Sequence, residues 1–354
     1  MAELDNLETY KKYDTGGMLV HLHNLPRQCQ EAWQKASEFT LPHEFRNADK
    51  IVICGMGGSA IGADLLRSLA SDMAKPIIFV SREYDLPAFV DSETLLIASS
   101  YSGNTEETLS AFRQALNLDC KKLVSTTDGK LKGLAEEKGI PVFSIEYAAQ
   151  PRAALGYSFI PLIAFLCHLG FLSDKSAELR KMVTVLDSLV SELAENVATS
   201  LNPAKQLAGK LLGKLIVVYG GGILSPVARR WKGQFNENSK SWAFYETFSE
   251  LNHNAVVGYE FPEELADKIY VVLLRCPSLH PHILARYEVT SEILDKAGIG
   301  HEIIDSRGED RLTQMMSLVF PGDWVSYYLA MLNETDPTPV KMIAYLKERL
   351  SQLS

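Results

Sequence analysis

Residues 50–69 read KIVICGMGGSAIGADLLRSL. The first five form a short apolar run rich in β-branched residues, the pattern of a strand buried on both faces. Glycines follow at 55, 57 and 58, and then Ile61, Leu65, Leu66 and Leu69 recur at helical spacing. A strand that runs through a glycine loop into a helix opens a parallel α/β unit. The same pattern continues outward. PIIFVS (76–81), TLLIASSYSG (94–103), KKLVSTTDG (121–129) and IPVFSIE (140–146) read as further short strands. Asn104 with Glu107 three residues later predicts the start of an intervening helix, whose buried face is Leu109, Phe112 and Leu116.

A second round begins at KLIVVYGGG (214–222). Ser225-Pro226 reads as N-cap and first helical residue, and Ala228, Trp231 and Phe235 mark that helix's inner face. KIYVVLLRC (268–276) and HEIIDSRG (301–308) are later strands, with helices predicted over 323–332 and 340–350. At roughly 150 residues per domain, 354 residues also point to two domains. The expected organisation is a helical arm (1–47), a first α/β domain (48–150), connecting helices (151–205) and a second α/β domain with C-terminal helices (206–354). No Gly/Ser linker separates the halves, so they should pack together.

Lys plus Arg is 35 and Asp plus Glu is 44, a net charge of −9, which argues against nucleic-acid binding by bulk charge. The five cysteines are scattered without a CxxC pair, which excludes a disulfide scaffold or Cys-rich zinc module and favours a reducing compartment, the cytoplasm. The polar, acidic N-terminus carries no secretory signal. Ala153 to Leu172 is a run of 20 residues without a formal charge, long enough to span a membrane. It contains Pro161 and His168 and stands alone, so it is expected to be a helix buried between the halves.

Gly55-Met56-Gly57-Gly58-Ser59-Ala60 satisfies G-x-G-x-x-A, a relaxed dinucleotide fingerprint. Glycines let a backbone approach an anion, and a helix start presents free N–H groups to it. A tight turn with no ligand would satisfy the same letters. Ser99-Ser100-Tyr101-Ser102-Gly103-Asn104-Thr105 adds several hydroxyls at the next helix start, which suits a compact phosphate. Helix capping explains Asn104 but not the whole cluster. These loops follow the first and third strands, which can be neighbours across the switch point of a doubly wound sheet. Glu83 lies after the second strand and keeps a nicotinamide cofactor open as an alternative. In the second half, Glu237 and His253 are the candidate acid–base pair, against the plainer readings of a solvated helix end and a loop-capping histidine. No metal-ligand spacing is present.

GMGGSAIG, SSYSGNTEET, QPRAALGYSF and KGQFNENSKSWAFYETFSELNHN, in this order, resemble the bifunctional phosphoglucose/phosphomannose isomerase family of the sugar-isomerase (SIS) fold. The resemblance spans essentially the whole chain. It implies two SIS domains, each a five-stranded parallel sheet flanked by helices in an αβα sandwich, and a homodimer with no metal or organic cofactor. It further implies isomerisation of glucose 6-phosphate, and of mannose 6-phosphate, to fructose 6-phosphate, a step of glycolysis and gluconeogenesis. The implied phosphate pocket is Gly57, Gly58, Ser59, Ser100, Ser102 and Thr105. Glu237 would be the base, His253 the ring-opening residue from across the dimer interface, and Arg152 the neighbour of the reacting carbons. A C-terminal lysine completes the set, Lys347 by preference or Lys341. Use of the mannose epimer points to a small hydroxyl residue near Val340, with Thr335 and Thr338 close by.

Three rivals remain at this level. A non-catalytic sugar-phosphate sensor would need the phosphate loops but not Glu237 with His253. A nicotinamide-dependent dehydrogenase would use only the first loop. An aminosugar isomerase would share the fold.

Overall fold

The computed structural model describes residues 3–72 and 75–352. The first two residues of the expected arm and the last two of the second domain therefore lie outside the described residues. The arm is helical, with α1 (Leu7–Tyr13) and α2 (Met18–Glu38). The first half alternates β1 (Lys50–Cys54), α3 (Gly57–Leu69), β2 (Ile77–Ser81), β3 (Thr94–Ser99), α4 (Glu106–Ala115), β4 (Lys121–Thr126), α5 (Lys130–Glu137) and β5 (Val142–Ser144). Next come α6 (Leu155–His168), α7 (Ser176–Leu193) and α8 (Pro203–Leu211). The second half is β6 (Leu215–Gly221), α9 (Ser225–Gln234), β7 (Ala243–Phe248), β8 (Ile269–Arg275), α10 (Pro281–Lys296), β9 (Gly300–Asp305), α11 (Arg311–Leu332) and α12 (Lys341–Ser351).

The first sheet is parallel, in the order β2-β1-β3-β4-β5. Its central strands β1 and β3 are almost wholly buried, as their continuous apolar runs require. At the edge, β2 leaves Ile77 and Phe79 exposed. The chain leaves β1 toward β2 and returns on the other side to β3, so β1 and β3 are neighbours and their following loops face one crevice. Among the described residues the second sheet has four strands, not five, in the order β7-β6-β8-β9. After β9 the chain enters α11, a helix buried almost all round and packed among α2, α7, α8 and α9, instead of adding a strand.

One apolar core runs through both halves, from Ile51 and Ile97 to Ile216 and Val272. The 20-residue apolar stretch begins at the last residue of a short 3-10 turn (Pro151–Ala153) and is mostly α6, whose residues Leu155 to Leu166 are all buried. Among the described residues no helix is long and apolar enough to cross a membrane. The α3 and α6 backbones meet at Gly62, where an added Cβ would lie 2.3 Å from the Ser158 carbonyl oxygen. A separate, smaller core under α4 and α5 covers the other face of the first sheet.

Candidate active site

In the second half, α9 runs without a break into a π-helical turn, Phe235–Ser239. Trp231 and Phe235 are buried against α11, and the Trp231 indole donates to the Leu318 carbonyl at 2.7 Å. The Asn238 amide donates to Ser326 Oγ at 2.9 Å, and Ser239 Oγ donates to the Phe235 carbonyl at 2.7 Å. With 235, 238 and 239 turned inward, the extra residue of the π turn leaves Glu237 facing out, a common use of such turns. Its carboxylate meets Arg152 Nη1 at 3.3 Å and keeps 32% exposure.

Arg152 is held through its other nitrogens. Nε donates to Asn238 Oδ1 at 2.6 Å, and Nη2 to the carbonyls of Pro337 at 2.7 Å and Thr338 at 2.9 Å. Nη1 is left for Glu237. Burial pulls the guanidinium pKa down and Glu237 pushes it back up, but an arginine remains charged. Behind it, Arg230 donates to the Arg152 carbonyl at 3.0 Å and pairs with buried Asp323 at 2.7 Å. Gly58 passes so close to Pro151 that a Cβ would lie 2.8 Å from its carbonyl oxygen, so the glycine loop and the arginine turn need a glycine there to approach.

The glycine loop and the hydroxyl loop come together. Ser59 Oγ accepts from the Tyr101 N–H at 3.1 Å, and Ser100 Oγ lies 2.9 Å from Thr105 Oγ1. The N-cap of α4 is Thr105, not Asn104. Asn104 instead braces the loop, donating to the Ser102 carbonyl and accepting from the Lys130 N–H. Gly103 sits at φ +65°, and any Cβ there would collide with the Asp128 carbonyl. Between the start of α3 and α9 lies a cavity of about 310 Å³ whose wall includes Gly57, Gly58, Arg152, Glu237 and Tyr245. Arg82, Arg229, Arg230 and Lys232 also line it, so its field is strongly positive. Buried Asp64 takes contacts from both Arg82 and Arg229, which fixes these two at one end.

The structure thus joins Arg152, Glu237, Gly57 and Gly58 around one cavity. Ser59, Ser100, Ser102 and Thr105 form the neighbouring loop pair and are not part of that wall. His253 is exposed at the end of the 3-10 turn Glu250–His253 after β7 and does not line Glu237's cavity. Lys341 and Lys347 lie on α12, which is exposed along its length. Thr338 is near by virtue of its carbonyl. Glu83 is exposed, while its neighbour Arg82 enters the cavity. Sequence reasoning missed Arg82, Arg229, Lys232, Asn238 and Lys240. A four-residue spacing, Arg229-Gly233-Glu237, was the available signal, since Trp231 and Phe235 define the opposite face. Among the described residues no group of three or more His, Cys, Asp or Glu is placed to hold a metal ion.

Residues 200–350 match the family model described as bacterial phospho-glucose isomerase C-terminal SIS domain. The chain is 44% identical over 337 residues to the bifunctional phosphoglucose/phosphomannose isomerase of Caldicellulosiruptor bescii, covering 95% of this chain and 99% of that one. It is 35% identical to the protein of the same description from Aquifex aeolicus, covering 91% and 95%. The fold resembles the crystal structure of a glucose-6-phosphate isomerase like protein from Thermus thermophilus, with a TM-score of 0.66 and 22% identity over 97% of this chain and 100% of that one.

Proposed function

The chain belongs to the bifunctional phosphoglucose/phosphomannose isomerase family, and on that footing we propose that it interconverts glucose 6-phosphate, and mannose 6-phosphate, with fructose 6-phosphate through an enediol. The observation that carries this reading is the Arg152–Glu237 pair at 3.3 Å in a cavity lined with cations beside the glycine loop. A sensor has no need of a carboxylate aimed at a guanidinium there.

In the proposed reaction the sugar phosphate is anchored by Ser59, Ser100, Ser102 and Thr105 with the N–H groups of Gly57 and Gly58. That remote binding places the reacting carbons. Ring opening by proton exchange is assigned to His253. Glu237 then takes the C2 proton and returns it to C1, while a proton moves between O1 and O2. Arg152 Nη1 stabilises the charge that develops on those oxygens. For the C2 epimer, rotation about C2–C3 presents its single, oppositely configured C2 hydrogen to the same carboxylate. No metal or organic cofactor enters the proposed steps. We assign the reaction to glycolysis and gluconeogenesis on the strength of its substrate, and the protein to the cytoplasm, a reading that five free cysteines support.

A homodimer is part of this proposal. His253 is exposed and does not line the cavity of its own chain, so it is assigned to the partner's site. Lys347, or Lys341 at the start of α12, is assigned a supporting role that needs α12 to close toward the cavity. The test is a coupled assay for fructose 6-phosphate formation from each sugar phosphate, with chelator present. Turnover of both is expected. Failure with both substrates overturns the isomerase reading, and failure with mannose 6-phosphate alone restricts it.

A further inference from the structure

The segment joining α11 to α12, residues 333–340, crosses directly behind the Arg152–Glu237 pair. It is fastened at several points. Asn333 donates to the Ser239 carbonyl at 2.9 Å and to Ser241 Oγ at 3.1 Å. The Asp336 carboxylate accepts from Thr15 Oγ1 at 2.5 Å and from the Gly16 N–H at 3.1 Å. At its centre the Pro337 carbonyl receives two cations, Arg152 Nη2 at 2.7 Å and Lys240 Nζ at 3.0 Å. The same Lys240 ammonium donates to the main-chain carbonyl of Glu237 at 2.5 Å.

Lys240 also closes the π turn, and it does so at φ +57°, in the left-handed region where glycine is the unstrained choice. Strain of this kind persists where the surroundings over-determine a conformation, and often where it serves a site. What lysine supplies and glycine lacks is the ammonium. We propose that Lys240 is a positioning residue for the isomerase reaction, clamping the main chain of Glu237 to the Pro337 carbonyl that Arg152 shares, so that base and guanidinium stay in register. This rests on the functional reading above.

The charged groups facing the ammonium are Glu237 on its own turn, Arg152 from the 151–153 turn and Asp336 from the 333–340 segment. Lys240 is exposed as a residue, but desolvation where its ammonium meets the two carbonyls, and then the Arg152 charge, press its pKa down to about 8. The clamp is therefore charged and complete below that pH and loosens as pH rises through it.

The experiment measures kcat, KM and thermal midpoint across the pH range for Lys240→Met, Lys240→Arg and Lys240→Gly. Lys240→Met is expected to lower kcat about 10- to 100-fold, the scale of a small misplacement, with KM within about twofold. The wild type should lose kcat as pH rises through about 8, and Lys240→Arg should keep most of kcat without that alkaline fall, because guanidinium does not titrate there. Lys240→Gly relaxes the left-handed backbone, so its thermal midpoint should hold or rise while kcat falls as in Lys240→Met. A merely structural role would make stability and activity fall together. Wild-type turnover with unchanged kcat in Lys240→Met or Lys240→Gly overturns the positioning role alone. Equal losses in the Arg and Met variants, with the alkaline limb unmoved, overturn it as well. Absence of wild-type turnover removes the isomerase reading and this inference with it.

Discussion

At the residue scale the proposed chemistry turns on Glu237, and its replacement is the sharpest test. Glu237→Gln keeps the shape and still accepts from Arg152, but it cannot take a proton. We expect kcat to fall by about 10³-fold or more, with sugar-phosphate binding largely retained, as measured by turnover and by competition. Retention of a tenth of wild-type kcat would take the base role away from Glu237. The hydroxyl loop should act on the other parameter. Ser100→Ala and Thr105→Ala each remove a charge-assisted bond worth about 1.5–3 kcal/mol, so each should raise KM roughly tenfold or more. Inorganic phosphate should compete, and wild-type KM in both variants without anion inhibition would free this loop of its role. Glu237 and Arg152 are legible because they lie in sequence motifs with a resemblance behind them. Lys240 lies inside the same motif as Glu237 and carries no signal of its own. Its meaning comes from a backbone angle and from the Pro337 carbonyl, distant in sequence, neither of which leaves a mark on residue type.

At the element scale the site depends on helices packed at backbone distance. Gly62→Ala sets two effects against each other. Alanine is the better helix former by about 1 kcal/mol. Its Cβ, however, would lie 2.3 Å from the Ser158 carbonyl oxygen, and overpacking of this kind costs about 1–3 kcal/mol. Since backbone must move, destabilisation is expected to win in chemical denaturation. Gly133→Ala in α5 is the paired control, because nothing lies within 4 Å of its added Cβ, and it should stabilise. If both substitutions stabilise, the α3–α6 contact is looser than described. Elements buried on both faces are the legible ones, as β1 and β3 illustrate. The strand β7 is not, since it lies at a sheet edge with alternating burial and carries Glu246. The helix expected from 323 in fact starts at Arg311, because Pro321-Gly322 looks like a break in the sequence. In the fold Gly322 is where the Trp231 ring lies on the helix, 2.3 Å from where a Cβ would be, and the helix continues through it.

At the scale of the whole molecule the two halves differ. Gly220 to Gly222 repeat the glycine turn of the first half, but Ile283 and Phe248 crowd Gly221, and the Tyr287 hydroxyl beside it is already spent on the Leu274 carbonyl. One phosphate site per chain is thus expected, and the second half contributes Glu237 instead. The proposed dimer has a decisive mixing test. A Glu237→Gln chain paired with a His253→Ala chain would hold one site with both changes and one with neither. Unfolding and refolding equal amounts should restore about a quarter of wild-type activity, because half the dimers are mixed and each has one good site. No recovery, with mixed dimers shown to be present, would assign both residues to one chain.

The fastening of Arg152 to the carbonyls of Pro337 and Thr338 also bears on when the protein can work. Ribosomes make the arginine 185 and 186 residues before these two acceptors. Until those carbonyls arrive, a nascent chain has Asn238 and Glu237 to take Nε and Nη1 but lacks the two acceptors of Nη2. Thr15 likewise waits for Asp336. Translation therefore delivers the closing pieces of the pocket last, and a chain cut short by a premature stop after α11 would hold the proposed base and its arginine without the brace that aligns them.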